Sequence, residues 1–364
     1  MNHSRLFAAV VLVAACAACG EDSGNPTTVR IGVTASANEP RVGLTAEVTD
    51  RLTAALTRGQ TRVVVYREGE DAGTAYSDEV LSAADDAEVR ERLFRLDGQL
   101  AQIGGTTGRL DPLSVLADMA SAPGPALLVL HSSGLQTTDP LDLTRLGLDL
   151  DVAAAVAAVP DDALPALTGK DVVFSGLGQV AGPQPPLPPG AQEALVELWL
   201  GICREFGAAS CTHDPGPAPA GGPIARGEVP VVDLGQVENR DALVHVPSSM
   251  VFKAGGDELA PGAEDVLRQV AEKFDGRTTA RVVVRTATSA SAEQAADLTR
   301  RRAQRVVSAL VDLGVSRSAF VEVVGAGFGS PLDVDLDAAG DLVPGAAARN
   351  RSVVVELVAP RVSG

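Results

Sequence analysis

The chain has 364 residues, which is enough for two domains of ordinary size. Hydrophobic residues make up 45% and charged residues 21%, a globular composition that excludes a disordered chain and a polytopic membrane protein. The net charge of −17 and the aromatic content of 3% exclude nucleic acid as a partner. A polyanion would be repelled, and there are too few rings to stack on bases.

Residues 1–18 have the pattern of an export signal that ends in a lipid anchor. A single early charge, Arg5, precedes an apolar run over 6–15 that is too short to cross a hydrocarbon core of ~30 Å. The run VAAC at 13–16 resembles a bacterial lipobox, whose cysteine receives a diacylglycerol thioether. Cys16 is the favoured site and Cys19 the alternative. Residues 19–26 are predicted to form a polar tether, and we expect a protein that is lipid-anchored at the extracytoplasmic face of the cell membrane, within the cell envelope. The alternative is a plain signal peptide whose two cysteines are incidental.

Two further cysteines, Cys203 and Cys211, lie eight residues apart. An exported protein folds in an oxidising compartment, so the sequence predicts a disulfide between a helix end and the segment that follows it. The alternative is a pair of buried free thiols. The spacing does not fit a zinc site.

Residues 27–213 alternate apolar strand-like runs with amphipathic helix-like runs. This order predicts an open, mostly parallel sheet with helices on both faces. The predicted strands cover 29–33, 62–66, 126–130 and 171–175, and the predicted helices cover 44–56, 85–103, 110–120 and 190–206.

Residues 214–227 are rich in proline, glycine and alanine and are predicted to be a linker between two domains. Residues 228–364 then form a second α/β domain. Its predicted strands lie near 249–252, 280–284, 320–324 and 350–357, and its helices cover 261–274 and 291–313. The β-α-β-α-β-β order predicts a small mixed sheet with two helices on one face.

Three segments of this second domain carry a family pattern. The run LTRRRAQRVVSAL at 298–310, followed by Gly314 and Val315, is similar to an LSxxRAxxVxxxL helix. GAGFGSP at 325–331 is similar to a GxGxxxP turn, and ARNRSV at 348–353 to an NRRV strand. The domain therefore resembles the OmpA-like peptidoglycan-associating family. The resemblance implies that fold and an association with peptidoglycan.

Members of that family bind the zwitterionic end of a peptidoglycan stem peptide with an arginine and an aspartate. Arg302 matches the arginine, but Ala287 stands at the aspartate position. The resemblance implies a wall contact through Arg302 and Arg351, with the hydroxyls of Thr286 and Thr288 in place of the missing carboxylate.

Losing one charged hydrogen bond weakens binding ~10- to 100-fold, so the expected peptidoglycan binding is weak or atypical. The alternative is a scaffold that has lost peptidoglycan binding and docks other envelope proteins.

The first domain has a fainter resemblance, to von Willebrand factor type A-like domains. The segments that carry it are TASAN at 34–38, Thr106 with Thr107, and HSSG at 131–134. The hydroxyls of that metal site are kept and both of its acidic residues are missing. Divalent cations need anionic oxygen ligands, so we expect neither a metal nor another cofactor. A partner could still bind at the carboxyl ends of the strands.

The sequence predicts a non-catalytic protein. His131 adjoins Ser132 and Ser133, but neighbouring residues of a strand point to opposite faces, which argues against a nucleophile and base. A hydrolase in the first domain remains the enzyme-class alternative. The acidic run at 333–341 has DxDxD spacing without the glycine and glutamate of a calcium loop, and we expect a solvated loop there.

Overall fold

The computed structural model describes residues 27–216, 222–225, 227–240, 242–289 and 291–358. The predicted signal segment, with Cys16 and Cys19, lies outside these residues, so lipidation stays a prediction. Within the described residues, no helix is both long enough and apolar enough to cross a membrane.

The first unit, residues 27–214, is built on a six-stranded sheet. Its strand order is β3-β2-β1-β4-β5-β6, in which β3 is an antiparallel edge and all other pairs are parallel. The strand order reverses between β1 and β4, which is the switch point of a doubly wound sheet. The strands are β1 (Thr27–Val33), β2 (Thr61–Arg67), β3 (Ser77–Leu81), β4 (Ala126–His131), β5 (Lys170–Ser175) and β6 (Ser210–Asp214).

Helices cover both faces of this sheet, which confirms the predicted fold class. The first and second helices in chain order pack on one face of the sheet, and the third and sixth helices cover most of the other face. Each buries an apolar stripe at helical spacing, as Val89, Leu93 and Leu96 do in α2. The helices are α1 (Ala46–Arg58), α2 (Asp86–Leu100), α3 (Pro112–Ser121), α4 (Leu143–Leu146), α5 (Val152–Ala157) and α6 (Pro189–Glu205).

The predicted disulfide is confirmed. Cys203, in the last turn of α6, is bonded to Cys211 in β6, and the two Cα atoms are 6.1 Å apart. The bridge ties the helix to the edge strand that follows it. The alternative of two free thiols is wrong.

The second unit, residues 238–358, is built on a five-stranded mixed sheet of order β10-β9-β11-β8-β7. Only the β9–β10 pair is parallel. Helices α7 and α8 bury their apolar faces together against one side of the sheet. The elements are β7 (Glu238–Arg240), β8 (Leu243–Pro247), α7 (Ala263–Ala271), β9 (Thr279–Arg285), α8 (Ala292–Asp312), β10 (Phe320–Gly327), α9 (Pro344–Asn350) and β11 (Ser352–Val358).

One predicted strand is misplaced. The sequence favoured a strand near 249–252, but the strand is β8, which ends at Pro247, and Ser248–Met250 forms a 3₁₀ turn. Proline has no amide hydrogen to continue a ladder, so the strand ends there. Phe252 is left beyond the sheet and bridges to Leu259.

The segment that joins the two units packs on the first unit. Val229 and Val232 are buried in the core of the first unit. The Gln184 side chain accepts from the Val232 amide at 2.9 Å and donates to its carbonyl at 3.1 Å. The side-chain Nδ2 of Asn38 donates to the Pro230 carbonyl at 3.0 Å. The second unit therefore begins from a segment that is fixed to the first.

Candidate carboxylate-binding site between the two units

Arg302 is the most deeply buried charged side chain of α8. It is 0% exposed. Its guanidinium carbon lies 4.8 Å from the centre of the Phe252 ring, and its Nε donates to the Gly256 carbonyl at 2.6 Å. Stacking and this hydrogen bond fix the plane of the guanidinium and direct its two terminal nitrogens away from the second unit's core.

Those two nitrogens already bind a carboxylate of the same chain. Nη1 donates to Oδ2 of Asp149 and Nη2 donates to Oδ1, both at 2.6 Å. Asp149 belongs to the first unit, in the 147–151 loop between α4 and α5, and its side chain is 4% exposed. The sequence predicted that Arg302 would meet a stem-peptide carboxylate. In the structure an internal carboxylate occupies that position.

Arg351 contacts the same loop and the end of α4 that precedes it. Its Nη2 donates to the Arg145 carbonyl at 3.4 Å, and a Cβ added at Gly147 would lie 2.8 Å from its Nη1. We call the surroundings of Arg302, Arg351, Phe252 and Gly256 the carboxylate pocket.

The remaining space beside Asp149 and Arg351 is about 10 Å³. This void is about the size of one water and is not lined by Arg302, whose guanidinium is covered by Asp149.

The electrostatics favour an ionised Asp149. Burial alone would raise its pKa, but the charge and hydrogen bonds of Arg302, followed by the charge of Arg351, hold the pKa below its usual range. Asp149 therefore carries a full negative charge at neutral pH. The pair is a charge-assisted, bidentate interaction of the kind that arginine makes with a bound carboxylate ligand.

Ala287, at the position of the family aspartate, is 3% exposed, and a different acid lies beside it. The Asp335 carboxylate accepts from the Thr288 amide at 2.8 Å and from the Thr288 hydroxyl at 2.6 Å. The predicted ligand Thr288 is therefore already engaged. The other predicted hydroxyl residue, Thr286, donates its amide to the Gly327 carbonyl at 3.0 Å.

The acidic loop at 333–341 is mostly exposed, as predicted, and Asp335 is its one buried residue, at 3% exposed. Burial would raise its pKa, but hydrogen bonds from Thr288 and Asn350 lower it. Asn350 holds the loop by accepting from the Leu332 and Asp333 amides. Sequence reasoning missed Asp335 because local spacing says nothing of a loop that folds back onto another strand.

A second concave site lies in the first unit, at the carboxyl ends of β1, β4 and β5. Its cavity of about 370 Å³ is lined by Glu39, His131, Ser133 and Asp97 among others. Burial lowers the pKa of His131 to about 4, so this imidazole is neutral at neutral pH. The site lies at the switch point, where open α/β sheets bind ligands.

Glu39 organises this second site, and sequence reasoning missed it. Its Oε2 accepts from the Thr34 hydroxyl at 2.7 Å and its Oε1 from the Ser132 hydroxyl at 2.9 Å. It also accepts from the Ser36 and Ser133 amides. Because the Ser132 hydroxyl donates to Glu39, it is not paired with His131. The described residues contain no group of three or more histidine, cysteine or acidic side chains placed to hold a metal ion.

Comparison with known families concerns the second unit. Residues 251–340 match the OmpA family, and this range includes α7, α8, β9 and β10. Residues 251–340 form an OmpA family domain. This confirms the predicted resemblance for the part of the chain that carries Arg302. Among curated proteins, none matches the chain.

Solved structures similar to the OmpA-like domain come from several bacteria. The periplasmic domain of Helicobacter pylori MotB has 17% identity and a TM-score of 0.28, covering 34% of this chain and 88% of its own. The peptidoglycan-associated lipoprotein from Burkholderia pseudomallei has 23% identity and a TM-score of 0.25, covering 30% and 87%. A putative MotB-like protein from Desulfovibrio vulgaris has 25% identity and a TM-score of 0.28, covering 32% and 75%.

Proposed function

We propose that this protein is a non-catalytic, lipid-anchored cell-envelope protein whose OmpA-like domain associates weakly with peptidoglycan through Arg302. The observation that carries the proposal is the bidentate pair in the carboxylate pocket. Arg302 holds the carboxylate of Asp149 with two hydrogen bonds of 2.6 Å, so its guanidinium is oriented to receive a carboxylate. A stem peptide ends in a carboxylate that makes the same pair.

The ammonium half of a zwitterionic stem-peptide end has an acid available as well. Asp335 lies against Thr288, next to Ala287, and is held ionised by its hydrogen bonds. The charge of Asp335 also acts on Arg351, as does that of Asp149. We propose that Asp335 supplies, from a different loop, the negative charge that Ala287 does not.

Binding is proposed to be weak because the first unit occupies the carboxylate pocket. A stem peptide must displace Asp149, and the displaced carboxylate and guanidinium must be rehydrated or paired again. The free energy needed to displace Asp149 reduces the net binding free energy of the stem peptide.

The test is co-sedimentation of the full-length protein with purified sacculi. Arg302→Ala is expected to weaken binding ~10- to 100-fold, because one charge-assisted bidentate contact is lost. Arg301→Ala is the matched control, since its side chain is exposed and pairs with Asp297 and Asp257 on the surface. Equal binding by wild type, Arg301→Ala and Arg302→Ala would reject Arg302 as the wall contact.

A second candidate is a docking scaffold for other envelope proteins, with no wall contact. The observation that supports this candidate is that Asp149 of the first unit already occupies Arg302 and that a space of only about 10 Å³ remains beside Asp149. The same experiment separates the two functions. A scaffold would not sediment with sacculi in any variant, including those that expose Arg302.

A further inference from the structure

We propose that the first unit autoinhibits the OmpA-like domain, with Asp149 acting as an internal mimic of the stem-peptide carboxylate that must leave before peptidoglycan can bind. This inference rests on the proposed function, because it concerns the regulation of the same carboxylate pocket. It goes beyond that function by assigning two states to the molecule. In the closed state Asp149 occupies Arg302, and in the open state the pocket is free.

The mimicry is chemical as well as steric. Asp149 meets Arg302 through both carboxylate oxygens, which is the geometry of a bound carboxylate ligand and uses both terminal guanidinium nitrogens. Its side chain is 4% exposed and that of Arg302 is 0% exposed. A second carboxylate therefore cannot bind Arg302 while Asp149 is in place, and the two are mutually exclusive.

The 147–151 loop is held by the first unit rather than being a freely moving segment. Leu148, next to Asp149, is 1% exposed within the first unit's core. Asp151 caps α5 by accepting from the Ala154 amide at 3.0 Å. Opening of the pocket is therefore a separation of the two units, and we infer that it does not require the loop to unfold.

Backbone contacts between the units set how closely they approach. A Cβ added at Gly190, at the start of α6, would lie 2.7 Å from the Ser249 carbonyl and 3.0 Å from that of Phe252. A Cβ added at Gly255 would lie 3.1 Å from the Leu150 carbonyl oxygen. A side chain at position 190 would thus force the units apart without changing any charge.

The size of the effect follows from population arithmetic. A ligand that binds only the open state has an apparent affinity reduced by the open fraction. Minor states of folded proteins are commonly populated at ~0.1–10%. Variants that fully open the pocket are therefore expected to bind peptidoglycan ~10- to 1,000-fold more tightly than the wild type.

Two variants open the pocket by independent means. Asp149→Asn removes the charge and keeps the side-chain shape, and Gly190→Ala adds one methyl group against the Ser249 carbonyl. Their controls are Asp162→Asn, an exposed acid of the same unit, and Gly98→Ala, which has nothing within 4 Å of the added Cβ. All are made in the full-length protein.

The measurement is the sacculus dissociation constant by co-sedimentation, with hydrogen exchange at Gly255, whose amide donates to Asp149 across the units, as a direct report of opening. Tighter binding and faster exchange in Asp149→Asn and Gly190→Ala, with both controls like the wild type, support the proposal. Unchanged binding in the two opening variants, with exchange showing that the two units have separated, overturns it.

The double variant Asp149→Asn with Arg302→Ala distinguishes this inference from the proposed function. If it loses the gain of the single variant, Arg302 is the contact and Asp149 its competitor. If it keeps the gain, or if no variant sediments, the wall contact through Arg302 is wrong and the autoinhibition with it. If only the opening variants fail to gain while Arg302→Ala weakens the wild type, autoinhibition alone is rejected.

Discussion

Glu68 shows how a single buried acid sets the pH response of the first unit. It lies just after β2, is 2% exposed, and accepts from the Thr107 hydroxyl at 3.1 Å. Burial, and next the nearby charge of Glu39, raise the pKa of Glu68 to about 8. The exposed Arg109 lies 3.8 Å away, too far for a hydrogen bond. Glu68 is therefore protonated in the folded protein at neutral pH.

The free energy of unfolding should fall as pH rises toward 8. The unfolded chain releases the Glu68 proton near its ordinary pKa of 4.5, whereas the folded state keeps it until about 8. The folded state thus binds more protons between these values, and the stability lost across the window is about 5 kcal/mol. Glu68→Gln should flatten this slope in urea titrations across pH 5–8.5.

Glu79→Gln, at an exposed position of β3, is the matched control for Glu68 and should keep the wild-type slope. A Glu68→Gln protein that still loses stability as the pH rises would show that other groups carry the effect.

At the scale of single residues, the sequence predicts which arginine is special but not what it contacts. Arg302 is recognisable from its position in the LTRRRAQRVVSAL pattern. Asp149 lies 153 residues away, on a loop with no periodic pattern that would indicate its partner. The contacts of Asp335 and Glu39 are equally hidden in the sequence, because each residue lies on a loop that folds back against a distant part of the chain. Residue contacts of this kind depend on tertiary packing, and local spacing does not encode them.

At the scale of secondary-structure elements, the close packing of β10 against α8 depends on the glycine at position 325. A Cβ added at Gly325 would lie 2.1 Å from the Arg300 amide nitrogen and 2.4 Å from the Thr299 carbonyl carbon. The strand and the helix that carries Arg302 therefore touch backbone to backbone. This close approach gives a physical reason for glycine at the first position of the GAGFGSP segment.

Gly325→Ala should destabilise the OmpA-like domain, because the added methyl meets backbone atoms that cannot rotate away. We expect a cost of ~1–3 kcal/mol or more, measured by chemical denaturation. Gly329→Ala, in the same turn, is the control, since its nearest neighbour would be 3.7 Å away. Equal stability of the two variants would contradict the packing described for β10 and α8.

Element prediction works where periodicity is strong and fails where it is short or polar. The sequence predicts α8 to within one residue at each end, because its buried positions recur at helical spacing. It misses β3 and β6, which are five-residue edge strands of mostly polar residues. It also misses α4 and α5, which are four and six residues long, too short to show a helical period.

For the whole molecule, the proposed anchor fixes which end of the protein lies near the membrane. Thr27, which begins β1, follows Cys16 by only eleven residues. A chain of that length spans at most ~40 Å when fully extended. The first unit would therefore stay close to the bilayer, and the OmpA-like domain would be the part that can reach the wall.

Labelling with radioactive palmitate tests this arrangement. Cys16→Ser is expected to abolish incorporation and release the protein from the membrane fraction, and Cys19→Ser to leave both unchanged. The reverse result would place the anchor at Cys19. Full labelling of the double variant would reject lipidation at either cysteine.

The pair between Asp149 and Arg302 has a consequence for genetics. Arg302 would both bind peptidoglycan and hold the two units together. Any substitution there therefore changes peptidoglycan binding and the contact between the units at once. Asp149 has only the second role. A phenotype shared by substitutions of Asp149 and of Arg302 would thus result from separation of the two units. A phenotype seen only with substitutions of Arg302 would result from lost binding to peptidoglycan.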